Sequence, residues 1–290
     1  MTNQSSNDMS VLDLERGQEI RRVPIPGQPA GIAASGILGA AIVVSPGSKK
    51  IRRLDIDDGS LVAEAQLEGG PLGIALDTAR GRVFVSDWFN ARIWVLSPED
   101  LSEMQVLTTG GTPAGLAVSP DGQWLASANR DANSVSIFDA ASLVLTHTVT
   151  VGARPFGLEF APDGRLFTAD VGSNTVTVMD PVTGIVEGQI PTGERPYDVA
   201  FASKRGFVSN QYADSVTVFD LETLEPIAEL NVGEYPEGIA ATSDGRRIVV
   251  ANWFSNTVSL IDAEILTVVE EIETGDGPRA FGSFVVDPEE

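Results

Sequence analysis

The chain has no cysteine and a single histidine, His147, among its 290 residues. The first absence excludes disulfides, thiolate catalysis and cysteine-ligated metals. The second removes histidine metal cages and most nucleophile–histidine triads. Lysine is nearly missing too, at Lys49, Lys50 and Lys204 alone, so arginine carries most of the positive charge. With 19 Lys and Arg against 41 Asp and Glu the net charge is -22, a field that repels nucleic acid and anionic membrane. No run approaches 18 apolar residues, so no spanning helix is read. The opening "MTNQSSNDMS" has no basic segment followed by an apolar one, so no signal peptide is read and a cytoplasmic chain is expected. An incomplete N-terminus would leave a periplasmic or secreted protein open. Residues 1–9 read as a flexible lead, with a single domain from residue 10 to residue 290.

What is present is one sentence written repeatedly: "SDWFNARI" at 86, "ANRDANSV" at 128, "ADVGSNTV" at 169, "SNQYADSV" at 209 and "ANWFSNTV" at 251. Two landmarks fix the period. Pro29, Pro71, Pro113, Pro155, Pro196, Pro236 and Pro278 recur at steps of 42, 42, 42, 41, 40 and 42. Asp13, Asp55, Ser97, Asp139, Asp180, Asp220 and Asp262 recur at the same steps. Each unit holds four short strand-like runs, such as "GLAVS", "WLASA", "SVSIFD" and "LTHTVTV". The first two are joined by "PDG" at 120 to 122, in which Pro presets φ and Gly takes the left-handed position of a tight turn. Four strands per repeat of about 40 residues is the signature of a β-propeller blade.

Six units are whole. "SVLDLERGQEIRRVPI" at the front matches the third and fourth strands of a seventh, and "PRAFGSFVV" at the back matches its first. The expectation is an all-β, seven-bladed β-propeller whose seventh blade is shared between the two termini. Its second strand is absent from the pattern unless residues 1–9 supply it. Six blades with extra edge strands is the alternative.

The unit "RPFGLEFAPDGRLFTADVGSNTVTVMD", and its "ANWFSNTVSLID" version, resembles the YVTN family of β-propeller repeats over nearly the whole chain. WD repeats match less well, because Trp88, Trp94, Trp124 and Trp253 are never followed by Asp. The resemblance implies the blade more than an activity. Propellers of this kind include lactonases, the propeller subunits of quinoprotein amine dehydrogenases, which dock a smaller cofactor-bearing subunit, and streptogramin lyases. The lyases rely on a channel histidine, whereas His147 falls on the outermost strand of blade three.

Blade topology sorts the loops. The "PDG" turns share one face with the turns between strands three and four. The loops between strands two and three share the opposite face with the blade-to-blade connections, around the channel mouth. That connection face carries the variable words: Trp88 and Phe89, Arg130, Gln211 and Tyr212, Trp253 and Phe254. The connections add Arg154, Arg195, Tyr235 and Arg279, with Phe156, Tyr197 and Asp198 just inside. Aromatics and arginine are enriched where binding energy concentrates. The expected function is therefore a non-catalytic ring that binds a protein segment or small molecule at the channel mouth, as a monomer and without a cofactor. The alternative is a lactonase-like hydrolase in which Asp87, Asp170 or Asp198 activates water and Arg154 or Arg195 steadies the oxyanion. The constant letters Asp87, Asn129, Asp170, Asn210 and Asn252, with Asn133, Asn174, Asp214 and Asn256, read as turn caps. A divalent cation held by such a ring of oxygens is the alternative there.

Overall fold

In the computed structural model, which describes residues 1–286, the strands form six four-stranded antiparallel sheets and one three-stranded sheet arranged as a ring. Blade four shows the plan: Pro155–Phe160 innermost, then Leu166–Asp170, Thr175–Asp180 and Ile185–Pro191 at the rim. The two middle strands are buried on both faces, and the outer strand is mostly exposed. Large side chains such as Phe84, Phe138, Phe167, Phe207 and Phe219 fill the clefts between neighbouring blades. The glycine that stands two residues after five of the seven landmark prolines has a steric reason. A Cβ on Gly73 would come within 2.1 Å of the Ala114 carbonyl oxygen of the next blade, and one on Gly31 within 2.3 Å of that of Leu72.

The ring has seven blades, not six. The seventh comprises Thr2–Asn3, Asp8–Asp13 and Gln18–Pro24, with the chain's last described segment as its innermost line. Asn3 bridges Pro278, Arg279 N–H donates to the Thr2 carbonyl at 2.9 Å, and Ile32 N–H donates to the Phe281 carbonyl at 2.9 Å. The C-terminal segment is thus stitched to blade seven on one side and blade one on the other.

The boundary drawn at residue 9 is corrected. Thr2–Asn3 is the missing second strand, and Met1, Thr2 and Asn3 are buried rather than a flexible lead. Asn3 occupies the position that Asn129, Asn210 and Asn252 hold in their blades, and its amide donates to Asp8 at 2.6 Å and Ser10 at 2.8 Å. Asn3→Ala should lower the unfolding free energy by about 1–2 kcal/mol, the cost of leaving buried groups without partners. Denaturant titration checks this, and a disordered lead would show no change.

Candidate functional site at the connection face and channel

The connection face is built by a backbone device repeated around the ring. The residue before each landmark proline is left-handed in most blades: Gln28, Thr112, Arg154, Arg195 and Tyr235 have φ between 55° and 58°. Each of these except Thr112 donates its N–H to the Asx residue opening strand three of the preceding blade: Gln28 to Asn7, Arg154 to Asn133, Arg195 to Asn174 and Tyr235 to Asp214, at 2.8–2.9 Å. The Asx residues ending strand two lie under the connection glycines. A Cβ on Gly110, Gly152, Gly193 or Gly233 would meet Asn129, Asp170, Asn210 or Asn252 at 2.5–2.7 Å. The residues opening strand three are turn caps, whereas of those ending strand two Asp87 accepts backbone N–H groups and Asn210 and Asn252 instead donate to hydroxyls of strand three. Among the described residues no three His, Cys, Asp or Glu side chains converge as a metal site would require.

The centre of this face is filled. Phe156 stacks against Tyr197 with ring centroids 4.2 Å apart, Phe281 lies 5.2 Å from Phe156, and Trp88 closes the group at 6.0 Å. Beside this plug, Arg279 donates to Glu237 at 2.5 and 3.1 Å and to the Tyr197 hydroxyl at 3.2 Å, while Gln211 donates to Glu237 at 2.7 Å. Tyr197 lies just inside the rim, where it was expected, and Arg279, expected among the connection residues, lies inside with it. They sit in the innermost strands, where the position after proline points at the axis.

The other expected residues do lie on the rim, in two groups. On blades five and six, the Arg195 guanidinium lies 4.2 Å from the centroid of Tyr212, which lies 5.1 Å from Tyr235. Tyr235 is 4.6 Å from Phe254, itself 4.6 Å from Trp253. Tyr212 and Phe254 are 44% and 53% exposed, so this run is a surface ledge. On blades two and three, Arg130 lies 5.5 Å over Trp88 and pairs with Asp131, and Phe89 is exposed. Arg154 is exposed on the connection between blades three and four. Trp88 and Trp253 share one face, as the repeat requires. His147 contacts the Val182 carbonyl at 3.0 Å, bridging blades three and four on the outside of the ring.

The five residues considered for a hydrolase do not converge, and no hydrogen bond or ion pair among the described residues joins any two of them. Asp87 accepts from Gly70, Phe89, Asn90 and Arg92. Burial works against its charge, yet these donors outweigh burial and hold its carboxyl below the usual range. Asp170 accepts from Thr177 at 2.5 Å and Thr175 at 3.3 Å, and burial pushes it up to about 7. Arg154 and Arg195 belong to the rim. Asp198 alone lines the channel, a cavity of about 560 Å³ that lies under the plug and reaches Pro120 and Pro162 in the hairpin turns of the other face. Burial holds its carboxyl well above the usual range, and the charge of Glu159 in the same cavity adds to this.

Residues 48–189, just under half of the chain, match the family model described as Lactonase, 7-bladed beta-propeller. The chain is a seven-bladed β-propeller, similar to that family over these residues. No curated protein sequence matches it. Among solved structures it is similar to the hydrazine synthase of Kuenenia stuttgartiensis, with a TM-score of 0.78 and 18% identity over 88% of this chain and 89% of that one. It is also similar to a functionally unknown protein from Desulfotomaculum acetoxidans DSM 771, with a TM-score of 0.79 and 14% identity over 96% and 97%. The dihydro-heme d1 dehydrogenase NirN matches with a TM-score of 0.72 and 16% identity, over 97% of this chain and 72% of that one. At such identities the likeness concerns the architecture alone.

The sequence reading of this lactonase-like propeller missed Glu159 and Glu237. The signal for Glu159 was in the repeat columns: its counterparts are Ala33, Ala75, Ala117, Ala200 and Ala240. Glu237 stands where the other blades carry Ala30, Leu72, Ala114, Phe156, Tyr197 and Arg279, a column that meets at the axis.

Proposed function

We propose that this lactonase-like propeller is a docking ring that grips an extended protein segment on the rim of its connection face. The carrying observation is the run of Arg195, Tyr212, Tyr235, Phe254 and Trp253 across two blades, with its outer rings exposed. Aromatic and arginine side chains dominate protein contacts because they bury much area with few rotors. The plug occupies the centre of this face, whereas small-molecule sites are concave. A flat ledge suits a peptide backbone. Arg130, Arg154 and Arg195 share this face with the exposed carboxylates Asp131, Glu194, Glu234 and Asp276, so the exposed rings of the ledge rather than net charge carry the grip.

Selection from a random peptide library on the folded protein tests this. Enriched peptides should share an aromatic or aliphatic residue. Tyr212→Ser or Phe254→Ser should weaken them by roughly tenfold or more with Tm unchanged, since both rings are exposed. Peptides indifferent to both substitutions would overturn the reading. Arg195→Gly separates structure from binding. It should hold or raise stability by about 1 kcal/mol by relieving a left-handed non-glycine residue, while weakening the peptide.

A lactonase-like hydrolase is the second reading, favoured by the family match over residues 48–189. Of the residues first considered for it, only Asp198 lines a cavity. Turnover of a lactone panel that disappears in Asp198→Asn would support it, and no turnover in the parent protein would remove it.

A further inference from the structure

The cavity on the ring axis plays no part in docking on the rim. Its walls are aliphatic and aromatic, with Leu116, Leu158, Phe201, Ile239 and Phe284 among them. Among the described residues the titratable side chains in its lining are Glu159 and Asp198, on the innermost strands of adjacent blades. Both depart from the repeat. Glu159 stands in a column otherwise held by Ala33, Ala75, Ala117, Ala200, Ala240 and Gly282. Asp198 stands in a column otherwise held by Gly31, Gly73, Gly115, Gly157, Gly238 and Ala280. Six blades close the ring with small neutral residues at these positions, so neither carboxyl is needed for the architecture.

Both side chains are half-buried in the cavity wall, and holding two acids against apolar surface costs stability unless something offsets it. Within the protein Glu159 accepts from the Phe160 N–H at 2.8 Å, and Asp198 from backbone N–H groups of Val199, at 2.9 Å, and Ile239. Among the described residues no Lys, Arg or His lines the cavity. The charged groups at its plugged end, Glu237 and Arg279, are paired with each other. What the cavity lacks is a positive charge carried on an apolar body.

We propose that the channel binds a small organic ammonium ion, its head between Glu159 and Asp198 and its hydrocarbon body along the channel wall. The volume, about 560 Å³, is in the range of small-molecule pockets. The acidic field of the whole chain raises the local concentration of cations. The same geometry sets the pH dependence. Burial pushes Glu159 up to about 7, and Asp198 is raised by burial and then by the charge of Glu159. A bound ammonium favours both carboxylates, so binding strengthens as pH rises through this range and releases protons.

Titration calorimetry with hexylammonium chloride, against 1-hexanol as its uncharged counterpart, tests the assignment on the whole chain. Hexylammonium should bind at one site, roughly tenfold or more tighter than 1-hexanol at about pH 8, and more weakly at about pH 6. Glu159→Ala and Asp198→Gly restore the residues of the other blades, so the fold is kept, and each should weaken hexylammonium by roughly tenfold. Phe254→Ser should leave it unchanged, so this site stands or falls apart from rim docking. The assignment is overturned by an absence of saturable heat, by equal affinity for 1-hexanol, or by indifference to both substitutions. Should either variant fail to fold, the charged-against-uncharged comparison and its pH dependence in the parent protein decide alone.

Discussion

Asp170→Asn should stabilise the protein by about 2–4 kcal/mol at about pH 8 and by almost nothing at about pH 4. The Asp170 side chain is fully buried, one oxygen has no hydrogen-bond partner, and burial lifts its carboxyl to about 7 from an ordinary 3.8. Below the ordinary value both folded and unfolded chains hold the proton, and folding bears no penalty. Between the two values the folded chain binds more protons than the unfolded one, so stability falls as pH rises, and above about 7 the loss is complete. The repeat itself supplies the cure. Asn210 donates from its amide to Ser215 and Thr217, and Asn252 to Thr257 and Ser259. Thr175 and Thr177 are the matching hydroxyls around Asp170. Their amide oxygens are as unpartnered as the free Asp170 oxygen, so the neutral amide loses nothing by the exchange. Denaturant titrations across this pH range check it. A stability difference that does not vary with pH would show that Asp170 is ionised at no cost.

Arg279→Ala should destabilise the protein by about 3–5 kcal/mol, because it leaves the Glu237 carboxylate buried without its cation. The side chains are 17% and 4% exposed and joined by two hydrogen bonds. They link blade six to the C-terminal strand of blade seven, so the loss falls on ring closure. Replacing both by leucine, the residue that Leu72 supplies in the same column, should return stability to within about 1 kcal/mol of the parent or above it. A single variant as stable as the parent would mean that water already reaches Glu237.

The blade count, the two faces and the capping role of the Asx residues that open strand three were legible because they are periodic. Each recurs at the step that the prolines set, and backbone geometry demands each once per blade. The same periodicity held a strand that was not read. Asn3 is the Asx residue of blade seven, but the run leading to it is two residues long and carries no alternation. The rim ledge was legible in its members, though not in its order, because Tyr212, Tyr235 and Phe254 meet only when two connections lie side by side. Arg279 was misplaced for a local reason: it holds the position after a landmark proline, a column that turns to the axis, where it meets the Tyr197 hydroxyl of the same column. Glu159 was hidden by looking for variety in the loops, whereas the telling substitution lies inside a strand, where alanine is the rule.

Hydrogen exchange of the protein with and without a selected peptide tests rim docking most directly. Docking requires slower exchange at residues 211–213, 234–236 and 253–255, with the hairpin turns at 120–122 and 162–164 unchanged. Protection of those turns with the rim unaffected would place the binding surface on the opposite face and contradict it.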